Sequence, residues 1–176
     1  MTATTESVQA ENQLAAAIYA LRRCGFRCGA YVFVTGTGEL GVLAAAAAKE
    51  FGAAGVAMGC TSEEAGFVKS LGYEPYIYGQ SDHARLVQGV TEGRGFDFAL
   101  ETSGTEKGYE ALLKLTKRGA VVALLTKLEQ PYTFFVKTAV RSQIRFVGVR
   151  RFDERSAQMA KTLLKNEKLN TVLAAI

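Results

Sequence analysis

One histidine, two prolines, no tryptophan and three cysteines among 176 residues leave little material for several kinds of chemistry. With His83 as the lone imidazole, a histidine-based metal site or a Ser-His-Asp triad has little material to work with. Cys24 and Cys28 stand in a C-x3-C spacing, but no second pair or neighbouring histidine completes a zinc site. Free thiols in a reducing cytoplasm are the expected state. No apolar run reaches the roughly 18–20 residues of a membrane span. The opening MTATTESVQAENQ carries acids and no basic segment, unlike a secretory signal. The net charge of +4 comes from 21 Lys+Arg against 17 Asp+Glu, spread along most of the chain. Arg22-Arg23 and Arg150-Arg151 are the densest basic points, and no aromatic-interleaved basic stripe appears. Neither a membrane nor a nucleic acid is therefore expected as a partner.

What is present is an ordinary globular composition, 48% hydrophobic and 22% charged, with 18 glycines. The length fits one domain of about 100–200 residues. From residue 31 onward, short β-rich runs alternate with helical segments. The strands are expected at Tyr31–Thr35, Gly55–Gly59, Tyr76–Tyr78, Phe96–Leu100, Ala120–Leu125 and Ile144–Val149. Helices are expected at Leu40–Phe51, from a Ser62 cap to Gly72, then at Asp82–Thr91, Glu106–Thr116, Tyr132–Ser142 and Glu154–Lys168. Residues 1–13 read as a polar, frayed lead into a helix from Leu14 to Arg23. Six strands separated by helices require crossover connections. The expected fold is therefore α/β, a Rossmann-type six-stranded doubly wound parallel sheet with helices on both faces, spanning 14–176.

The first strand runs directly into Gly36-Thr37-Gly38-Glu39-Leu40-Gly41, and a helix follows. G-x-G-x-x-G in this strand–turn–helix context is a dinucleotide-binding fingerprint. Gly36 permits the tight turn, Gly38 lets the backbone approach a pyrophosphate, and Gly41 lets helix and strand pack closely. The helix N-terminus offers unpaired N–H groups to the phosphates. Glu39 is discordant, since a carboxylate at that mouth is tolerable only if turned away. An acid that binds the ribose 2′-hydroxyl of NAD usually ends the second strand. Here Gly59-Cys60-Thr61-Ser62 stands instead. The Thr61 and Ser62 hydroxyls could bond a 2′-phosphate, which favours NADP(H), with NAD(H) as the alternative. Glu63 and Glu64 read first as helix N-terminal charges, with the ribose role as the alternative. Other strand ends converge on the same edge: Tyr78 after strand three, Glu101-Thr102-Ser103-Gly104 after strand four, Thr126-Lys127 after strand five, and Val149-Arg150 after strand six. A methyltransferase on a similar sheet would show an acidic end to strand two, which is missing.

These segments resemble the cofactor-binding domain of the medium-chain dehydrogenase/reductase superfamily. The resemblance runs from Leu14 to the C-terminus through AAAIYALRRCGFRCGAYVFVTGTGELG, CTSEEAGFVKSLGYEPYIY, GRGFDFALETSG, LTKRGAVVALLT and IRFVGVRRFDERSAQMAKTLLKNEKL. Cys60-Thr61-Ser62-Glu63-Glu64 is most similar to the NADPH-dependent quinone oxidoreductase and enoyl reductase branch. The resemblance implies diphosphate contacts from Gly38 to Gly41 and 2′-phosphate contacts near Ser62 and Tyr78. It also implies nicotinamide-ribose contacts at Thr102, Thr126 and Val147-Gly148-Val149, with Ser103 beside them. Two features depart from that branch: Ala65 stands where it usually has lysine, and the Gly36–Gly41 loop has the tighter dehydrogenase form. Family members also carry a GroES-like catalytic domain, which supplies zinc ligands and most of the substrate pocket. That domain is read as absent here, so no zinc and no unaided turnover are expected. The reading is the dinucleotide-binding domain of an oxidoreductase. The alternative is a non-catalytic sensing or interaction module, and a homodimer through strand 144–149 is the partner the family implies.

Overall fold

A computed structural model describes residues 5–126, 136–166 and 169. In chain order its elements are α1 (Thr5–Arg23), β1 (Tyr31–Thr35), α2 (Glu39–Glu50), β2 (Gly55–Cys60), α3 (Ala65–Ser70), β3 (Glu74–Ile77) and α4 (His83–Thr91), followed by β4 (Phe96–Glu101), α5 (Glu106–Leu115), β5 (Thr116–Leu124), α6 (Val136–Arg141), β6 (Arg145–Gly148) and α7 (Glu154–Leu163). The six strands form one sheet in the order β3-β2-β1-β4-β5-β6, and every neighbouring pair is parallel. This is the doubly wound Rossmann fold. No helix among the described residues is long and apolar enough to cross a membrane.

The sequence of β1 shows why both faces are covered. Val32 and Val34 enter one apolar cluster while Tyr31 and Phe33 enter the other, following the two-residue period of a strand. All five of its residues are buried, as expected for a strand with helices on both sides. The first cluster holds α1, α2, Val68 of α3 and Ala160 of α7. The second holds Leu86 of α4 and Tyr109, Ala111, Leu112 and Leu115 of α5. In α2, Ala44 to Ala48 are all buried, and their small side chains leave room for α1, which lies against α2 and α7.

Several boundaries differ from the sequence expectation, each for a local reason. Helix α1 starts at Thr5 rather than Leu14, because Ala10, Leu14, Ala17, Ile18 and Leu21 form one buried stripe at helical spacing. Its polar first half is anchored by Gln9 and Gln13, which reach Glu39. Ser62 does not cap α3: the helix begins at Ala65, and the Glu64 carboxylate folds back to take the Thr61 N–H. The segment Thr116–Arg118, expected partly as helix and turn, extends β5 instead, with a register shift against β4 between Phe96 and Phe98. Helix α7 ends at Leu163, short of the expected Lys168. Asp82, expected as the first residue of its helix, is instead the N-cap of α4 and accepts the Ala84 N–H at 2.8 Å. The part of the expected 132–142 helix before Val136 lies outside the described residues, as do Lys127 and Lys168. Cys24, Cys28 and Cys60 are free thiols, and only Cys28 is exposed.

Candidate functional site

Strands β1 and β4 are neighbours, but the chain leaves β1 toward β2 and β3 on one side and β4 toward β5 and β6 on the other. The carboxyl ends of such a pair bracket a crevice, the ligand site of open α/β sheets. The glycine turn sits there. Gly36 adopts φ +87°, a left-handed conformation that favours glycine. Its N–H donates to the Gly59 carbonyl at 2.9 Å and to the Tyr78 hydroxyl oxygen at 3.1 Å, fixing the turn to β2 and β3. A Cβ on Gly41 would lie 2.3 Å from the Gly36 carbonyl oxygen and 2.8 Å from Thr102 Oγ1, so the contact between α2 and β1 admits no side chain. A Cβ on Gly38 would meet nothing within 4 Å, and the space over the turn is open.

Gly38 is also the N-cap of α2, and no side chain caps that helix. Asp82, Thr105 and Asp153 cap α4, α5 and α7 through their side chains. The first-turn N–H groups of α2, at Glu39, Leu40 and Gly41, therefore keep the donor capacity and positive dipole end that suit a phosphate. The Glu39 carboxylate does not oppose this. It turns to α1 and accepts from Gln9 Nε2 at 3.0 Å and Gln13 Nε2 at 2.8 Å.

Beyond β2, the Glu64 side chain reaches this edge. Its Oε1 accepts from the Thr37 hydroxyl at 2.6 Å and its Oε2 from the Thr61 N–H at 2.8 Å. The carboxylate thus bridges the glycine turn to the end of β2. The Thr37 hydrogen bond first, and then the Thr61 N–H, hold its pKa below the ordinary carboxylate range. An acid is present at this edge after all, supplied from four residues past the strand. Thr61 and Ser62 are exposed, and the Ser62 hydroxyl oxygen accepts from Gln80 Nε2 at 2.9 Å. The Cys60 side chain is fully buried, and burial pushes its thiol up to about 11, so only its backbone faces this edge. Tyr78 lies against the turn, its hydroxyl oxygen accepting the Gly36 N–H, and burial raises its hydroxyl's pKa. Its ring packs edge-on against Tyr76. Beside them a cavity of about 330 Å³ is lined by Tyr76, Tyr78, His83, Lys107 and Glu110.

On the other side of the crevice the hydroxyl residues converge as expected, but mostly on one another. The Thr102 hydroxyl donates to the Thr35 carbonyl, and the Thr102 N–H donates to Thr35 Oγ1 at 3.2 Å. Ser103 donates to Glu101 Oε1 through its hydroxyl at 2.8 Å and its N–H at 2.9 Å. The Thr126 hydroxyl donates to Glu101 Oε2. Val147 is half-buried, Gly148 exposed, and Val149 buried with its N–H on the Leu124 carbonyl at 2.9 Å. The sequence reading places Glu101 at this edge without a role of its own and Glu64 chiefly as a helix N-terminal charge; in the structure both are hydrogen-bond hubs. The signal for Glu101 was an acid closing the apolar strand FDFALE. Among the described residues no group of three or more His, Cys, Asp or Glu could hold a metal ion, so they do not fit a zinc centre.

Similar sequences and folds occur among known proteins. The profile of the zinc-binding dehydrogenase family matches residues 40–166. The sorbitol dehydrogenase of Halalkalibacterium halodurans is 29% identical over 161 residues, covering 89% of this chain and 47% of that protein. The L-threonine 3-dehydrogenase of Vibrio cholerae is 34% identical over 101 residues, which is 55% of this chain and 29% of the relative. Among solved structures, an alcohol dehydrogenase of Thermotoga maritima superposes with a TM-score of 0.81 at 18% identity, over 99% of this chain and 51% of that one. Galactitol-1-phosphate dehydrogenase of Escherichia coli gives 0.79 at 21% identity, over 90% and 49%. At these identities the structural likeness speaks for the fold alone. The chain spans about half the length of the sorbitol dehydrogenase it matches.

Proposed function

The chain belongs to the zinc-binding dehydrogenase family, and we propose that it supplies the dinucleotide-binding half of an oxidoreductase, with NAD(H) as the cofactor. The observation that carries this reading is the uncapped α2 N-terminus behind a turn where Gly38 is open and Gly41 is sterically obligatory. The N–H groups of residues 39–41 would hold the pyrophosphate, and the edge formed by Thr102, Ser103, Thr126 and Val147–Val149 would face the nicotinamide ribose. When bound, the cofactor supplies the hydride; the chain's share is to bind it, orient it and exclude water. The missing strand-end acid argues for NADP(H). The Glu64 carboxylate outweighs it, because its charge opposes a 2′-phosphate and its oxygens suit a ribose diol.

Substrate and metal ligands would come from outside the described residues, so this half alone is expected to turn over neither alcohols nor enones. The outer position of β6, with Phe146 36% exposed, supports a homodimer formed through this strand. The unpaired thiols support a cytoplasmic setting. The test is a melting titration. NADH at 100 times its dissociation constant should stabilise the chain by about 2.7 kcal/mol. No shift with either NADH or NADPH would remove the dinucleotide reading.

A further inference from the structure

Glu101 is a fully buried carboxylate at the carboxyl end of β4, next to the glycine turn. Burying a carboxylate costs several kcal/mol unless hydrogen bonds compensate it. The donors around it are informative. Oε1 accepts from Thr35 Oγ1 at 3.3 Å, the Ser103 N–H at 2.9 Å, the Ser103 hydroxyl at 2.8 Å and the Gly104 N–H at 2.7 Å. Oε2 accepts from the Thr126 hydroxyl. One side chain thus ties the end of β1, the loop after β4 and the residue after β5. Ser103 in turn backs the glycine turn: a Cβ on Gly36 would lie 3.1 Å from Ser103 Cα.

We infer that Glu101 is a positioning residue for the nicotinamide half of the site, holding the post-β4 and post-β5 segments at the spacing the dinucleotide requires. The inference rests on the dinucleotide reading above. Glu101 touches no cofactor atom; it acts through Ser103, Gly104 and Thr126. The adenine half depends on a separate set of contacts, in which Gly36 is tied to Gly59 and Tyr78, and Thr37 and Thr61 to Glu64. The adenine half meets the Glu101 network only through Thr35 and through Ser103 beside Gly36, so loss of Glu101 should loosen the nicotinamide half far more than the adenine half.

Calorimetric titration of NADH and ADP into the wild-type chain, Glu101→Gln, Glu101→Leu and the milder Thr126→Val tests this. Circular dichroism and melting first establish which variants fold. The expected result for folded Glu101 variants is an NADH affinity about tenfold weaker, as misplaced contact groups produce. ADP affinity should stay within about twofold, and Thr126→Val should change the ratio in the same sense by a smaller factor. Equal weakening of both ligands would assign Glu101 to the fold alone and overturn the inference, as would unchanged NADH binding in a folded variant. If both Glu101 variants fail to fold, Thr126→Val decides: an unchanged NADH-to-ADP ratio overturns it. Wild-type chain that binds neither ligand would sink the dinucleotide reading itself, and this inference with it.

Discussion

Substituting Glu64→Gln removes one charge and keeps an acceptor for the Thr37 hydroxyl or the Thr61 N–H. In the wild-type chain that carboxylate spans 2.6 and 2.8 Å contacts to the turn and the β2 end, and the proposed NAD(H) site puts the adenosine ribose beside it. A 2′-phosphate there carries about 1.5–2 negative charges, roughly 5 Å from the carboxylate. Coulomb repulsion is then about 1.5 kcal/mol at the dielectric of water and about 3 kcal/mol if the edge halves that dielectric. The wild-type chain should bind NADH tighter than NADPH by about tenfold to a hundredfold. Glu64→Gln should narrow the ratio by about tenfold, mostly through better NADPH binding. The assay is paired calorimetry with both cofactors at fixed pH, repeated at low and high salt, since screening should also narrow the ratio. Because hydrogen bonds lower the Glu64 pKa, the carboxylate remains charged throughout the neutral range and the preference should not vanish there. The same sign makes its stabilising contribution present above the unfolded carboxylate value and lost as pH falls through the lowered one. A wild-type preference for NADPH, or an unchanged ratio in Glu64→Gln, would refute the reasoning.

Three further outcomes are expected. Gly41→Ala forces a methyl to 2.3 Å from the Gly36 carbonyl, so it should cost about 1–3 kcal/mol and weaken NADH binding together. Thermal melts should show a drop of about 2–4 °C per kcal/mol for a chain of this size. Asp153 accepts the Ser156 hydrogen bonds and pairs with Arg22, and the Ser156 contacts first hold its carboxyl below the ordinary range. Its contribution is present above the unfolded Asp value and lost as pH falls through the lowered one. The melting temperatures of wild type and Asp153→Asn should therefore converge in acid; a pH-independent gap would contradict this. Finally, Cys28 is exposed, while burial pushes the Cys24 and Cys60 thiols up to about 11. Native chain at neutral pH should take up one equivalent of a thiol reagent quickly, and rapid labelling of all three would show that these thiols are accessible.

Much of the fold was legible because its signals are local. The buried run Tyr31–Thr35, the alanine-rich helix after the glycine turn and the helix opening at Asp82 each carry their reason in a few neighbouring residues. Boundaries went astray where a distant contact decided them. Nothing within MTATTESVQAENQ indicates that Gln9 and Gln13 are held by Glu39, 30 and 26 residues away. That contact also resolves the discordant acid at the phosphate turn. Likewise, Ser62 is a better cap than Glu64 by local preference, yet Glu64 leads the helix because Thr37 bonds its carboxylate from the glycine turn.

By itself the sequence determined the parallel α/β architecture, the glycine turn and the edge of the sheet where the site lies. These follow from hydrophobic period, turn chemistry and strand–helix alternation, all short-range properties of the chain. Only the tertiary structure decided what each polar side chain does at that edge. It spends the Thr102, Ser103 and Thr126 hydroxyls on Thr35 and Glu101, turns Glu39 away and brings Glu64 in. Hydrogen bonds reach about 3 Å, and their partners here stand up to 67 residues apart in sequence. Their pairing is therefore fixed by how the strands and helices pack.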